Sequence, residues 1–231
     1  VFTETSPGSR MAADPQTGPE VPGLELVWSG HVPSHAAEAR RYEHWLDAAE
    51  RERLASLRRT EDRDRYRTAH VALRRLLADH LGGDPAEVVI RRAPCFVCGG
   101  PHGRPVIPRD PVHFSLSHAG DQLLIALATE PVGVDVEKVP DATAVTELAG
   151  TLHPAERSAL DGMSGMRRRI AFTRCWSRKE ALLKGTGAGL NAGLATVCSG
   201  VEAVPAQPEG WRVADLPAAA GYAAACAVKR R

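Results

Sequence analysis

The sequence predicts an α+β fold, on three observations. A strand-like segment precedes two helical segments and then several strands, which excludes a regular alternation of strand and helix. Strand, helices and strands then follow one another a second time from about Val132. Apolar residues make up 43% and charged residues 25% of the 231 positions, the balance of an ordinary globular protein with a buried core.

The elements follow in order. Residues 1–20 are polar and rich in Pro and Gly, with no basic segment leading into an apolar one; they read as a flexible leader and not as a signal peptide. Residues 24–28 predict a first strand. Residues 35–57 are helical in pattern, with Tyr42, Trp45 and Leu46 as apolar positions and dense Glu/Arg pairs opposite. Thr60 or Asp62 caps a second helix reaching about His80, where Ala69, Ala72, Leu73, Leu76 and Leu77 form a buried stripe and Gly82-Gly83 stops the chain. Residues 88–91 predict a short strand and 99–105 a loop. Residues 112–118 alternate as a half-buried strand, 119–122 turn, and 123–128 return as the hairpin partner. A strand over 132–136 follows Pro131. Helices are predicted over 143–148, from His153-Pro154 onward with proline at an early position, and over 165–184, ended by Gly185, Gly187 and Gly189. Weaker strand signals lie at 194–197, 211–213 and 222–228. No apolar stretch approaches the roughly 20 residues needed to cross a bilayer.

A net charge near +1 gives no bulk attraction to nucleic acid. Its distribution says more. Residues 38–75 are rich in arginine and the region around Asp135 and Glu137 is acidic, so the chain either binds a polyanion at one area and a metal at the other, or solvates both. Only four basic residues are lysines, and two of them, Lys179 and Lys184, share one short segment. Five cysteines form no evenly spaced framework, and a reducing cytosol is the expected setting. Cys95-x-x-Cys98 followed by His102 looks like half of a zinc site, but a structural zinc takes four ligands. A redox pair is disfavoured by the loop setting.

Asp135 and Glu137 stand two apart on a strand, so both carboxylates point to one side. Gly133 beside them permits close approach of another backbone. Glu180 supplies a third carboxylate if the long helix packs over that strand, and three hard oxygen donors suit magnesium. The alternative is a solvated sheet face, which the flanking Val132, Val134 and Val136 argue against. Trp176, Glu180 and Lys184 share a helix face at four-residue spacing. Lys184 precedes a glycine-rich run and is placed to reach a phosphate, although a P-loop has its lysine after the glycines. His118, after Ser117 at a hairpin corner, either meets a phosphate or a base or holds the turn. Arg67, with Arg63, Arg65 and Arg74 near it, and Arg104 in the glycine loop offer rigid phosphate donors. Residue chemistry alone thus reaches a magnesium-assisted reaction of a phosphorylated substrate, favoured over a binding module.

Three runs then match a known family in order and spacing: Phe114-Ser-Leu-Ser-His-Ala-Gly, Gly133-Val-Asp-Val-Glu, and Trp176-Ser-Arg-Lys-Glu-Ala-Leu-Leu-Lys184. They resemble the signature blocks of the Sfp-type 4′-phosphopantetheinyl transferases. The resemblance implies a pseudo-dimer of two similar α+β halves, here residues 21–131 and 132–231, with coenzyme A in the cleft between them. It implies that Asp135, Glu137 and Glu180 hold magnesium, with manganese as a substitute, and that Lys184 steadies the pyrophosphate. It places Ser117 on the coenzyme, and His118 and Arg67 on its 3′-phosphate together with Arg51 or Arg53. Gly103-Arg104-Pro105 resembles the family's Gly-Lys-Pro element, with arginine for the commoner lysine. Glu180 is the first choice of base; Glu156 or a metal-bound water is the alternative. The implied reaction moves phosphopantetheine from coenzyme A to a serine of an apo acyl or peptidyl carrier protein and releases 3′,5′-ADP. The expected enzyme is a cytoplasmic monomer that meets its carrier transiently, with no nucleic-acid or membrane partner. Arginine-heavy, lysine-poor usage suggests a GC-rich bacterial genome, a setting for polyketide or nonribosomal peptide carriers. The rivals are another magnesium-dependent phosphotransferase or phosphohydrolase, and a non-catalytic coenzyme A or carrier binder.

Overall fold

The computed structural model describes residues 20–95, 98–101, 103–108, 110–187 and 193–231. Nearly all of the expected leader, together with His102 and Gly189, lies outside the described residues. The architecture is α+β, with antiparallel sheets and packed helices. Strand β1 (Leu24–His31) leads into helix α1 (Val32–Arg41), a 3-10 turn (Glu43–Trp45), α2 (Ala48–Ser56) and α3 (Thr60–Leu81). The helix expected over 35–57 is therefore broken. Asp47 accepts from Glu50 N while the Glu50 carboxylate accepts from Asp47 N, a capping box that starts α2 afresh. Helix α3 begins at Thr60 with Arg59 as its cap and stops where Gly82 takes φ 70°. Of the strand expected at 88–91 only Arg91 pairs, in the two-residue β2 (Arg91–Arg92) against β3 (Pro105–Val106).

The first half closes with a hairpin, β4 (His113–Ala119) and β5 (Gln122–Ala128), giving the sheet order β1-β5-β4. Strand β6 (Val132–Lys138) opens a second round: α4 (Ala142–Ala149), α5 (Pro154–Asp161), α6 (Gly165–Thr186), β7 (Trp211–Leu216) and β8 (Tyr222–Lys229). Its sheet runs β6-β8-β7. In each round the first strand pairs the last, which pairs the one before it. Residues 194–197 are turns, not the strand the sequence suggested.

The alternation of β6 divides its side chains. Val132, Val134 and Val136 enter a buried cluster with Leu124, Ala126 and Ala128 of β5 and Ala224, Cys226 and Val228 of β8. The other face meets α6. Strands β4 and β6 are both sheet edges, and they join through serines instead of a ladder: Ser115 Oγ accepts from Val134 N at 3.0 Å and Ser117 Oγ from Val136 N at 3.4 Å. Side-chain oxygens thereby satisfy edge amides that would otherwise lie open.

Candidate active site

Helix α6 sits on β6 with almost no side chain between them. A Cβ on Gly133 would lie 1.9 Å from the Ala181 carbonyl oxygen and 2.4 Å from Gly185 N. One on Gly185 would meet the Trp211 ring at 2.7 Å. This approach brings the Asp135 and Glu137 face of β6 against the Glu180 and Lys184 face of the helix.

Asp135 is 3% exposed. Its Oδ1 accepts from Ser117 Oγ at 2.8 Å and from Lys184 Nζ at 2.7 Å, and the same ammonium donates to Ser117 Oγ at 2.8 Å. Its Oδ2 is buried and has no hydrogen-bond partner among the described residues. Burial pushes the Asp135 carboxyl up, against the pull of Lys184 and Ser117. Burial and then the Asp135 charge push Glu137 up to about 7, with Lys184 opposing and Glu180 adding to the rise. Burial and Asp135 likewise raise Glu180. Three carboxylates thus resist one another, and one buried oxygen faces no donor. That is a donor set suited to a hard divalent cation. Among the described residues, however, no three His, Cys, Asp or Glu side chains converge into a ready metal cluster; Lys184 stands on Asp135.

The basic residues are divided. His118 follows Ser117 on β4, with its ring reaching solvent; desolvation by the surrounding chain, then the Arg65 and Lys184 charges, lower its pKa. Arg65, which the sequence reading left in the background, reaches from α3 to Gly120 O at 2.7 Å and so holds the β4–β5 turn. Arg104 Nη1 donates to Gly185 O at 3.1 Å, linking the first half to the end of α6, and burial lowers its pKa. Arg67 is committed to Glu43 and Asp64, at 2.6 Å each. Arg51 donates to Leu46 O, and Arg53 is exposed on α2. No hydrogen bond or ion pair among the described residues joins Arg51, Arg53 or Arg67 to the Asp135 group.

Glu156 requires a correction. It is 1% exposed and saturated. Its Oε1 accepts from Ser199 N at 2.7 Å and Gly200 N at 3.1 Å, and its Oε2 from His153 N at 3.1 Å and Lys179 Nζ at 2.7 Å. Burial alone would raise its pKa, but Lys179 and the Ser199 amide hold it below the usual range. A buried carboxylate whose oxygens already accept from four donors is poorly placed to take a proton from an incoming hydroxyl. Lys179, unassigned by the sequence reading, also donates to Leu194 O at 2.7 Å and to Val197 O, which explains why that segment is tied down as turns.

The 4′-phosphopantetheinyl transferase superfamily model matches residues 131–221. A candidate 4′-phosphopantetheinyl transferase of Synechocystis sp. is 32% identical over 158 residues, covering 66% of this chain and 61% of that protein. A phosphopantetheinyl transferase of Thraustochytrium sp. is 34% identical over 182 residues, 72% of this chain and 60% of its own. A 4′-phosphopantetheinyl transferase of Bacillus subtilis is 29% identical over 160 residues, 69% and 68%. Residues 131–221 thus match the 4′-phosphopantetheinyl transferase superfamily, and the chain is similar to these transferases over about two thirds or more of its own length. It spans about three-fifths of the length of the Synechocystis and Thraustochytrium relatives. The superfamily match contains Asp135, Glu137, Glu156, Glu180 and Lys184, whereas Arg104, Ser117 and His118 precede it.

Proposed function

We propose that this chain is an Sfp-type enzyme that transfers 4′-phosphopantetheine from coenzyme A to a serine of an apo acyl or peptidyl carrier protein. The observation that carries the reading is the buried Asp135 at the seam of the two rounds, with one oxygen on Lys184 and Ser117 and the other unpartnered beside Glu137 and Glu180. The chain divides at Pro131 into halves 21–131 and 132–231, which the repeated strand order supports.

The carrier serine oxygen attacks the β-phosphorus of coenzyme A. A phosphorus–oxygen bond forms, the bond to the bridging oxygen breaks, and 3′,5′-ADP leaves with that electron pair. Glu180 takes the serine proton; burial and the Asp135 charge raise its pKa, which strengthens the carboxylate as a base. Lys184 and Ser117 steady the pyrophosphate, and Arg104 and His118 bind the nucleotide end, with Arg65 beside His118. Arg51 and Arg53 lie further out, and Arg67 would first have to leave Glu43 and Asp64. Asp135, Glu137 and Glu180 would hold magnesium, or manganese in its place, which when bound neutralises the pyrophosphate and the leaving phosphate. We place the enzyme in the cytoplasm as a monomer without nucleic-acid or membrane partners. Among the described residues no helix is long and apolar enough to cross a membrane.

The test is intact mass spectrometry of purified apo carriers incubated with the chain, coenzyme A and magnesium. The carrier gains about 340 Da, the composition of a phosphopantetheine ester. No gain across fatty-acid, polyketide and peptide carriers sinks the reading. Release of free phosphate or pyrophosphate instead favours a hydrolase or nucleotidyl transferase.

A further inference from the structure

We propose that Lys184 is a resident counter-ion which leaves Asp135 when a divalent cation binds there and then turns to the phosphate of the substrate. The inference rests on the reading that Asp135, Glu137 and Glu180 are the cation's donors, and it adds what this chain does when that ion is absent.

The geometry supports it from both sides. A buried carboxylate without compensation is strongly destabilising. In this structure the compensation comes from Lys184, 2.7 Å from Asp135 Oδ1. The ammonium also holds Ser117 Oγ at 2.8 Å, so one cation fastens β4 to β6 while the other Asp135 oxygen stays unpartnered among the described residues. An ammonium and a divalent ion repel each other and compete for one small carboxylate. Lys184 is able to yield. Its side chain is 34% exposed on a flexible four-carbon stem, whereas that of Lys179, five residues earlier, is 3% exposed and enclosed. The displaced charge stays tethered beside the site, where an incoming phosphate supplies its next partner. Cation and phosphate binding are then coupled, and by linkage each strengthens the other.

Calorimetric titration of magnesium alone into the intact chain and into Lys184→Met tests the idea. Removing the competing charge makes Lys184→Met bind magnesium at least about tenfold more tightly. Equal or weaker binding by the variant overturns the inference and leaves the transfer reading standing. No uptake by either protein overturns both the inference and the metal part of that reading. Should Lys184→Met fail to fold, the unaltered chain decides. It has only four lysines, so reductive methylation can be followed residue by residue. Magnesium should raise Lys184 labelling several-fold while Lys179 stays protected; an unchanged Lys184 rate overturns the proposal.

Discussion

Helix α6 carries two lysines that each hold a buried carboxylate, and the two pairs behave in opposite ways. Lys179 meets Glu156 where every other carboxylate lone pair faces a main-chain or hydroxyl donor, and the Glu156 pKa falls. Lys184 meets Asp135 where one oxygen has no donor among the described residues, and the Asp135 pKa rises. The ion-pair chemistry is the same. Completeness of the hydrogen bonding separates them: a closed set makes a strut among α5, α6 and the 194–200 segment, and an open set leaves room for a ligand.

The largest expected effect breaks the open pair. Asp135→Ala should lower transfer at least about a hundredfold while the far-ultraviolet circular dichroism stays native; unchanged turnover in the mass assay refutes its role. Next, Glu156→Ala leaves Lys179 charged and uncompensated, so urea denaturation should show a loss of about 3–5 kcal/mol. The rate per folded molecule should hold, and a slowed enzyme of native stability would erase the contrast between the pairs. The smallest effect sharpens the comparison through pH. Folded Glu137 holds its proton up to about 7 against an ordinary 4.5, so the unfolded chain loses that proton first. Its contribution favours folding below 4.5 and is lost as pH rises toward 7. Glu156, lowered, contributes stability above its unfolded value that is lost as pH falls through its folded pKa. Denaturation in chelator across this range should show the loss toward pH 7 weakened in Glu137→Gln. The same loss in both proteins would remove Glu137 from the acidic group.

The open pair was legible because its parts obey short rules. Strand alternation put Asp135 with Glu137, four-residue spacing put Glu180 with Lys184, and Gly133 announced the close approach. The closed pair was not, because nothing near Glu156 in sequence reveals that Ser199 and Gly200, more than forty residues on, deliver their amides to it. The pairing of Arg67 was hidden for a related reason: an arginine's donors look available until Glu43 and Asp64 are seen to hold them. The break between α1 and α2 had a local signal, the Asp47 and Glu50 spacing, which the helical periodicity around it masked.

The contact of Gly133 with Ala181 and Gly185 has a mechanical consequence. The gap between the carboxylate row and the helix row is gauged by peptide groups touching peptide groups, and main chain neither swaps rotamers nor compresses as side chains do. The width of the jaw is thus fixed before any of its teeth are chosen. A methyl group at Gly133 would act as a shim, opening the whole row at once, whereas exchanging one carboxylate retunes a single tooth and leaves the span as it was.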